Sequence, residues 1–208
     1  MAYPQPIQQL IQALKNLPSV GEKTAERYVF HLLKSGKKEA GEIALALKKL
    51  LENVESCQQC WDFTDQSLCR ICRDKTRNQA KICVVAEPQD KRALEQVEKY
   101  NGVYHILRGT IDPEKEETKD YIKLKKLFKR LRNKEISEII LGLNHDLDGE
   151  TTMMYIERQI KKMSLSIKVT RLARGLPMGS DLQYADKITL DSAFKNRIEN
   201  KNGPKNRN

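Results

Sequence analysis

Four of the five cysteines fall in two tight pairs, Cys57-x2-Cys60 and Cys69-x2-Cys72, with eight residues between the pairs. Each Cys-x2-Cys knuckle points two thiolates at a common centre, and two knuckles complete a closed tetrahedral site suited to Zn²⁺. Four sulfur ligands leave no open coordination position. One Zn²⁺ per chain, structural and not catalytic, is therefore expected. Two disulfides or a redox dithiol would use the same residues. The odd cysteine count and the paired spacing argue for zinc and for a reducing, cytoplasmic setting. Cys83 lies inside the apolar run Ile82-Cys83-Val84-Val85 and is expected to be a small buried residue, not a fifth ligand.

A second constellation is Leu17-Pro18-Ser19-Val20-Gly21-Glu22-Lys23-Thr24-Ala25. It resembles the hairpin of a helix-hairpin-helix DNA-binding motif. A tight glycine-containing turn at the start of a helix presents backbone N–H groups that can bond a phosphate, aided by the helix dipole. Such contacts ignore base identity. Lys23 and Arg27 lie four residues apart on one face of the second helix and could reach adjacent phosphates. The usual motif has glycine on both sides of the hydrophobic hairpin residue; here the first of these is Ser19. A plain helix–turn–helix packing unit is the alternative.

The third constellation is acidic. Glu87 and Asp90 follow the first apolar strand of the second half, and Asp146-x-Asp148 with Glu150 follows the third. Carboxylates at the carboxyl ends of parallel strands occupy the usual site of an open α/β sheet. A Glu followed by Asp-x-Asp resembles the Toprim domain, whose acids bind Mg²⁺ for phosphodiester chemistry. The same residues would also serve as solvated loop and helix N-terminal acids. Whether Glu87, Asp146 and Asp148 hold Mg²⁺ stays open at this stage.

The elements that position these groups change period halfway along the chain. Ile7, Leu10, Ile11, Leu14 and Leu17 recur at helical spacing until Pro18. A second helix over 22–34 should bury Ala25, Val29 and Leu32 or Leu33. A third carries Ile43, Leu47, Leu50, Leu51 and Val54 on one face. From Lys81, short apolar runs at 82–85, 103–107, 139–143 and 167–172 alternate with helical stretches, which predicts a mainly parallel sheet. The stretch 119–134 reads as one amphipathic helix with Ile122, Leu124, Leu127, Phe128 and Leu131 inward. Its eight basic residues and one acid give a net +7, expected to be a solvated outer face.

Composition sets the frame around these motifs. The 208 residues carry 38 Lys+Arg against 28 Asp+Glu, a net charge of +10, which favours an anionic partner such as nucleic acid. Residues 1–40 contribute little of it, with six basic residues against three acids. No run of 18 apolar residues and no secretion signal stands out, so neither a membrane span nor export is expected.

Taken in order, the helix-hairpin-helix, the four-cysteine zinc finger and the Toprim-like half resemble the RecR family of bacterial recombination mediators. Tyr104-His105, Thr170-Arg171-Leu172-Ala173-Arg174-Gly175-Leu176-Pro177, Asp181-Leu182, Tyr184-Ala185-Asp186 and Thr189-Leu190 also match it. The chain departs from the family in places. Ala86 stands where an acid is common, and Asp146-Leu147-Asp148 replaces an Asn-Pro-Thr-x-Glu region of which Asn144 remains. The run 112–117 replaces a Gly-Ile-Gly-Pro stretch, and Ser180 replaces a glycine.

The resemblance implies an α/β multi-module chain. Its modules would be a helix-hairpin-helix region over 1–55, a zinc finger over 56–78, a Toprim-like domain over 79–172 and an oligomerisation segment over 173–198. A disordered tail over 199–208 would follow. It further implies a non-enzymatic DNA-repair protein that binds single- and double-stranded DNA and acts with RecO, and RecF where present, to help load RecA. Ring-like assembly as a tetramer or dimer is also implied. By match, Lys23 and Arg27 take the DNA-contacting role and Cys57, Cys60, Cys69 and Cys72 the zinc role. Glu87, Asp146 and Asp148 fall where the family contacts partner proteins. The alternative is a small Mg²⁺-dependent Toprim nuclease.

Overall fold

In the computed structural model, which describes residues 3–115, 117–133 and 135–198, the chain divides after Glu55 into two units. The first holds three helices, α1 (Gln5–Lys15), α2 (Glu22–Ser35) and α3 (Lys37–Asn53). Ile11, Ala25 and Val29 are buried at its centre, with Ile7, Leu14 and Val20 packed around them. The expected stripe of α1 is only partly used, since Leu10 and Leu17 stay exposed. In α3 no residue is buried. Ile43, Leu47, Leu50 and Leu51 share the apolar face that the spacing predicts, and Leu51 is 82% exposed.

The second unit opens with the finger. Strand β1 (Glu55–Ser56) pairs with β2 (Phe63–Thr64) around the first knuckle, and the one-turn helix α4 (Arg70–Arg73) carries the second. Next comes a four-stranded parallel sheet of β3 (Asn78–Val85), β4 (Gly102–Ile106), β5 (Glu138–Leu141) and β6 (Lys168–Arg171), in the order β4-β3-β5-β6. Val84 pairs with His105 on one side and Leu141 on the other. Along β3 the side chains alternate between two buried clusters. Ile82 and Val84 join Leu127, Leu141, Met153 and Ile156, whereas Cys83 and Val85 join Tyr104 and Ile106. Both faces are covered, so β3 and β4 read as continuous apolar runs.

Helix α5 (Pro88–Glu95) follows β3, and α8 (Leu147–Lys162) follows β5 and buries Met153, Ile156 and Ile160. The expected single helix over 119–134 is two, α6 (Thr118–Tyr121) and α7 (Leu124–Leu131). Ile122 is extended, and the Lys123 N–H donates to the Leu107 carbonyl at 2.8 Å. That bond takes Lys123 out of a continuous helical ladder. Ile122, Leu124, Leu127 and Leu131 are nonetheless buried as expected; Lys134 lies outside the described residues.

Beyond β6, a 3₁₀ turn (Leu182–Tyr184) and α9 (Lys187–Lys195) complete the described chain. Asp186 caps α9 by accepting from the Ile188 and Thr189 N–H groups, both at 2.9 Å. The tail from 199 falls outside the described residues. Among the described residues, no helix is long and apolar enough to cross a membrane.

Candidate metal centre and nucleic-acid interface

The two knuckles bring Cys57, Cys60, Cys69 and Cys72 together. All four are buried and their sulfurs lie within 4.8 Å of one another. An ion bonded to four thiolates at about 2.3 Å in a tetrahedron sets its sulfurs about 3.8 Å apart, so the cluster fits zinc. All five cysteines are free thiols, and the Cys60 and Cys69 sulfurs stand 3.5 Å apart, which removes the disulfide alternative. The Cys69 thiol is pulled below its ordinary value by hydrogen bonds from Cys60 and Cys72, while contact with Cys69 raises Cys60 and contacts with Cys60 and Cys69 raise Cys72. Four thiolates crowded in this space repel one another, and a dication relieves that repulsion. Cys83 stays out of the group; it is buried in the sheet, and burial pushes its thiol up to about 12.

Backbone bonds lock the knuckles. The Cys69 N–H donates to the Cys57 sulfur at 3.3 Å, the Cys57 N–H to the Asp62 carbonyl at 2.8 Å, and the Trp61 N–H to the Cys57 carbonyl at 3.0 Å. The finger also covers the outer edge of β4, because the Ile106 N–H donates to the Cys60 carbonyl at 2.8 Å. An exposed parallel edge would otherwise be a template for aggregation. Arg108 fastens the far side, donating to the Trp61 carbonyl at 2.9 Å and to Ser56 Oγ at 3.0 Å while stacking over Phe63.

Arg130 departs from the outer-face expectation for the basic helix. Its Nη1 donates to the Tyr104 carbonyl at 2.6 Å and reaches the Gln59 carbonyl inside the first knuckle at 3.4 Å. Burial lowers its pKa, and the thiolates of Cys72, Cys60 and Cys57 oppose that shift. The guanidinium thus ties α7 to β4 and to the first knuckle through two backbone carbonyls. Sequence reasoning missed it, although Arg130 lies between Leu127 and Leu131 on the inward half of α7.

In the first unit the hairpin between α1 and α2 has the geometry that phosphate contact needs. Gly21 is the N-cap of α2 in an extended conformation, and no side chain caps the helix. The first N–H groups of α2 thus have no intrahelical partners. Lys23 and Arg27 are both exposed. Ser19 adopts a left-handed backbone at φ 62°, which glycine takes without the steric cost a side chain incurs. Ser19→Gly should accordingly stabilise the hairpin unit by about 1 kcal/mol. The check is a rise in the denaturant midpoint at constant slope; an unchanged midpoint would show that Ser19 bears no strain.

The acids are placed at the strand ends, as expected, but among the described residues no three of them close into a group that could share an ion. Glu87 and Asp90 form a capping box at the start of α5, with the Glu87 N–H donating to Asp90 at 2.9 Å. Burial, then the Asp90 charge, raises the Glu87 pKa. Asp146 caps α8, accepting from the Gly149 N–H at 2.8 Å. A Cβ on Gly149 would lie 2.0 Å from the Asn144 carbonyl oxygen, so glycine is required there. Asp148 follows in the first turn of α8. Among the described residues, the four cysteines are the only group of three or more metal-ligating side chains near enough to share an ion. Glu150 is engaged by Arg171 at 3.0 Å, by His145 at 3.3 Å and by Arg174. Tyr104 and His105, from the matching stretch near the second strand, lie buried within β4.

Comparison with known proteins agrees with this arrangement region by region. Residues 7–51 match the helix-hairpin-helix of RecR, 56–74 the four-cysteine zinc finger domain of RecR, 80–173 the Toprim domain and 175–198 the C-terminal region of RecR. A Recombination protein RecR of Moorella thermoacetica is 44% identical over 199 residues, 96% of this chain and 99% of the relative. Proteins of that name from Lactococcus lactis and Staphylococcus aureus are 42% identical over 199 residues, 96% of this chain and 100% of each relative. With the four regions in order and that identity along nearly its whole length, the chain belongs to the RecR family of recombination proteins.

Proposed function

We propose that this member of a recombination family is a non-enzymatic mediator of recombinational repair. It binds single- and double-stranded DNA and acts with RecO, and RecF where present, to promote RecA loading on single strands coated by single-strand-binding protein. The observation that carries the reading is the uncapped start of α2 beside exposed Lys23 and Arg27, an arrangement that grips phosphate without reading bases. The structural Zn²⁺ bound by Cys57, Cys60, Cys69 and Cys72 holds the finger.

The modules are taken as 1–55, 56–78, 79–172 and 173–198. Glu87, Asp146 and Asp148 are offered to partner proteins in the cytoplasm. The capping roles of Glu87 at α5 and Asp146 at α8, with Asp148 in the first turn of α8, favour this over shared Mg²⁺ chemistry. Ring-like homo-oligomerisation is supported by apolar side chains left exposed on α3 and in the last segment, among them Leu51, Met178, Ile188 and Phe194. Such patches mark interaction surfaces.

The deciding experiment combines the protein with RecO, RecA, Mg²⁺ and labelled single-stranded DNA coated by single-strand-binding protein. Faster RecA filament assembly with the DNA left intact is expected. Metal-dependent cleavage that Asp148→Ala abolishes would overturn the mediator reading in favour of a nuclease.

A further inference from the structure

The second unit carries a basic cleft beside the zinc ligands. It encloses about 630 Å³ between the first knuckle and α7, and its walls include Gln58, Gln59, Trp61, Lys126, Lys129 and Arg130. That volume lies within the range of about 300–1,000 Å³ that ligand sites occupy. One acid, Glu135, stands among the lining residues against three cations. The Lys123 and Lys126 ammonium groups sit 5.0 and 5.3 Å from the centre of the Trp61 ring. An aromatic surface is thus held among positive charges.

The conformation of Trp61 adds to this. It follows Cys60 with φ 68°, in the left-handed region, where glycine or asparagine would sit more easily. Its carbonyl is held by Arg108. A large indole is therefore kept at a strained position, on the wall of a cleft.

We infer that this cleft is a second nucleic-acid site, on which unpaired bases of a single strand stack against Trp61 while Lys126 and Lys129 contact the flanking phosphates. Stacking on an aromatic ring within a basic groove accepts any base, but the base must be unpaired. Duplex DNA offers no free base face. An acidic protein segment would satisfy the lysines but leave the indole without a stacking partner. The inference extends DNA binding to the second unit and shares its ligand class with the mediator reading, yet it does not depend on the hairpin.

Trp61 is the chain's one tryptophan, so its emission reports this cleft alone. The test titrates full-length Lys23→Ala/Arg27→Ala protein, in which the hairpin is disabled, with oligothymidylate. Saturable quenching of Trp61 is expected, with duplex DNA of equal length much less effective. Adding Lys126→Glu and Lys129→Glu, both exposed positions, should weaken the apparent affinity by tenfold or more. With a labelled oligonucleotide read by anisotropy, Trp61→Ala should bind about tenfold more weakly and Trp61→Phe near the parent value. Emission unchanged at saturating oligonucleotide, or equal affinity in the charge-reversed protein, would overturn the site. Quenching by polyglutamate but not by oligothymidylate would overturn it in favour of an acidic protein partner. Failure of the hairpin reading appears separately, as unchanged binding on Lys23→Ala/Arg27→Ala substitution in a Trp61→Ala background.

Discussion

Replacing Lys23 and Arg27 together with alanine is expected to lower DNA affinity at low salt by about ten- to a hundredfold and to flatten its salt dependence. The two side chains are exposed on one face of α2, next to N–H groups that no cap satisfies. Each cation that neutralises a phosphate releases counterion, so loss of two should reduce the slope of log K against log salt by about 1.8 on duplex and about 1.4 on single strands. The effect should be the same for any base sequence, because phosphate contacts position without specifying. The first forty residues have only six basic side chains to set against three acids, and two of the six are removed. Titrations at four salt concentrations check this. An affinity drop with an unchanged slope would show that the pair supports the hairpin without touching phosphate.

How legible each part is follows from how local its cause is. The cysteine site can be read from spacing alone, because a Cys-x2-Cys turn brings two thiols together whatever surrounds it, and the structure gathers the four within 4.8 Å. The alternation of strands and helices is legible for the same reason: the run 82–85 carries its own period, and β3 follows it. The acids are legible in part. A helix N-terminal role is one of two open readings for them, and Glu87 and Asp146 take it as caps of α5 and α8; spacing alone does not choose between that and a shared ion. In the sequence Arg130 is one more cation of a basic run; its burial depends on a carbonyl of Tyr104, 26 positions away, and on a knuckle 71 positions away. The break at Ile122 likewise hangs on the distant carbonyl of Leu107. In α3 the apolar pattern is plain, yet none of its residues is buried within the described first unit.

Removal of zinc is the other large effect, and it should fall on stability and leave no chemistry to lose. The four thiols occupy a buried cluster to which, among the described residues, partly buried Leu68 and Ile71 add apolar cover. Without the ion, nothing offsets the ordering of the loop between the knuckles or the mutual repulsion of the thiolates. The damage should spread beyond the finger. Cys60 supplies the carbonyl that caps Ile106 on the outer edge of β4, and Gln59 in the same knuckle supplies a carbonyl to Arg130. A loss of about 3–5 kcal/mol in the second unit is expected, equivalent to roughly 10 °C in Tm for a unit of this size. The helices of the first unit keep their own core of Ile11, Ala25 and Val29, so their part of the far-UV signal should melt as before. Metal analysis should find one zinc per chain, and adding zinc back under reducing conditions should restore the lost transition. Cys60→Ser should reproduce the chelated state without chelator. A melting curve unchanged after verified release of the metal would mean that the packed sheet holds the finger, and that the ion is not a structural element of this chain.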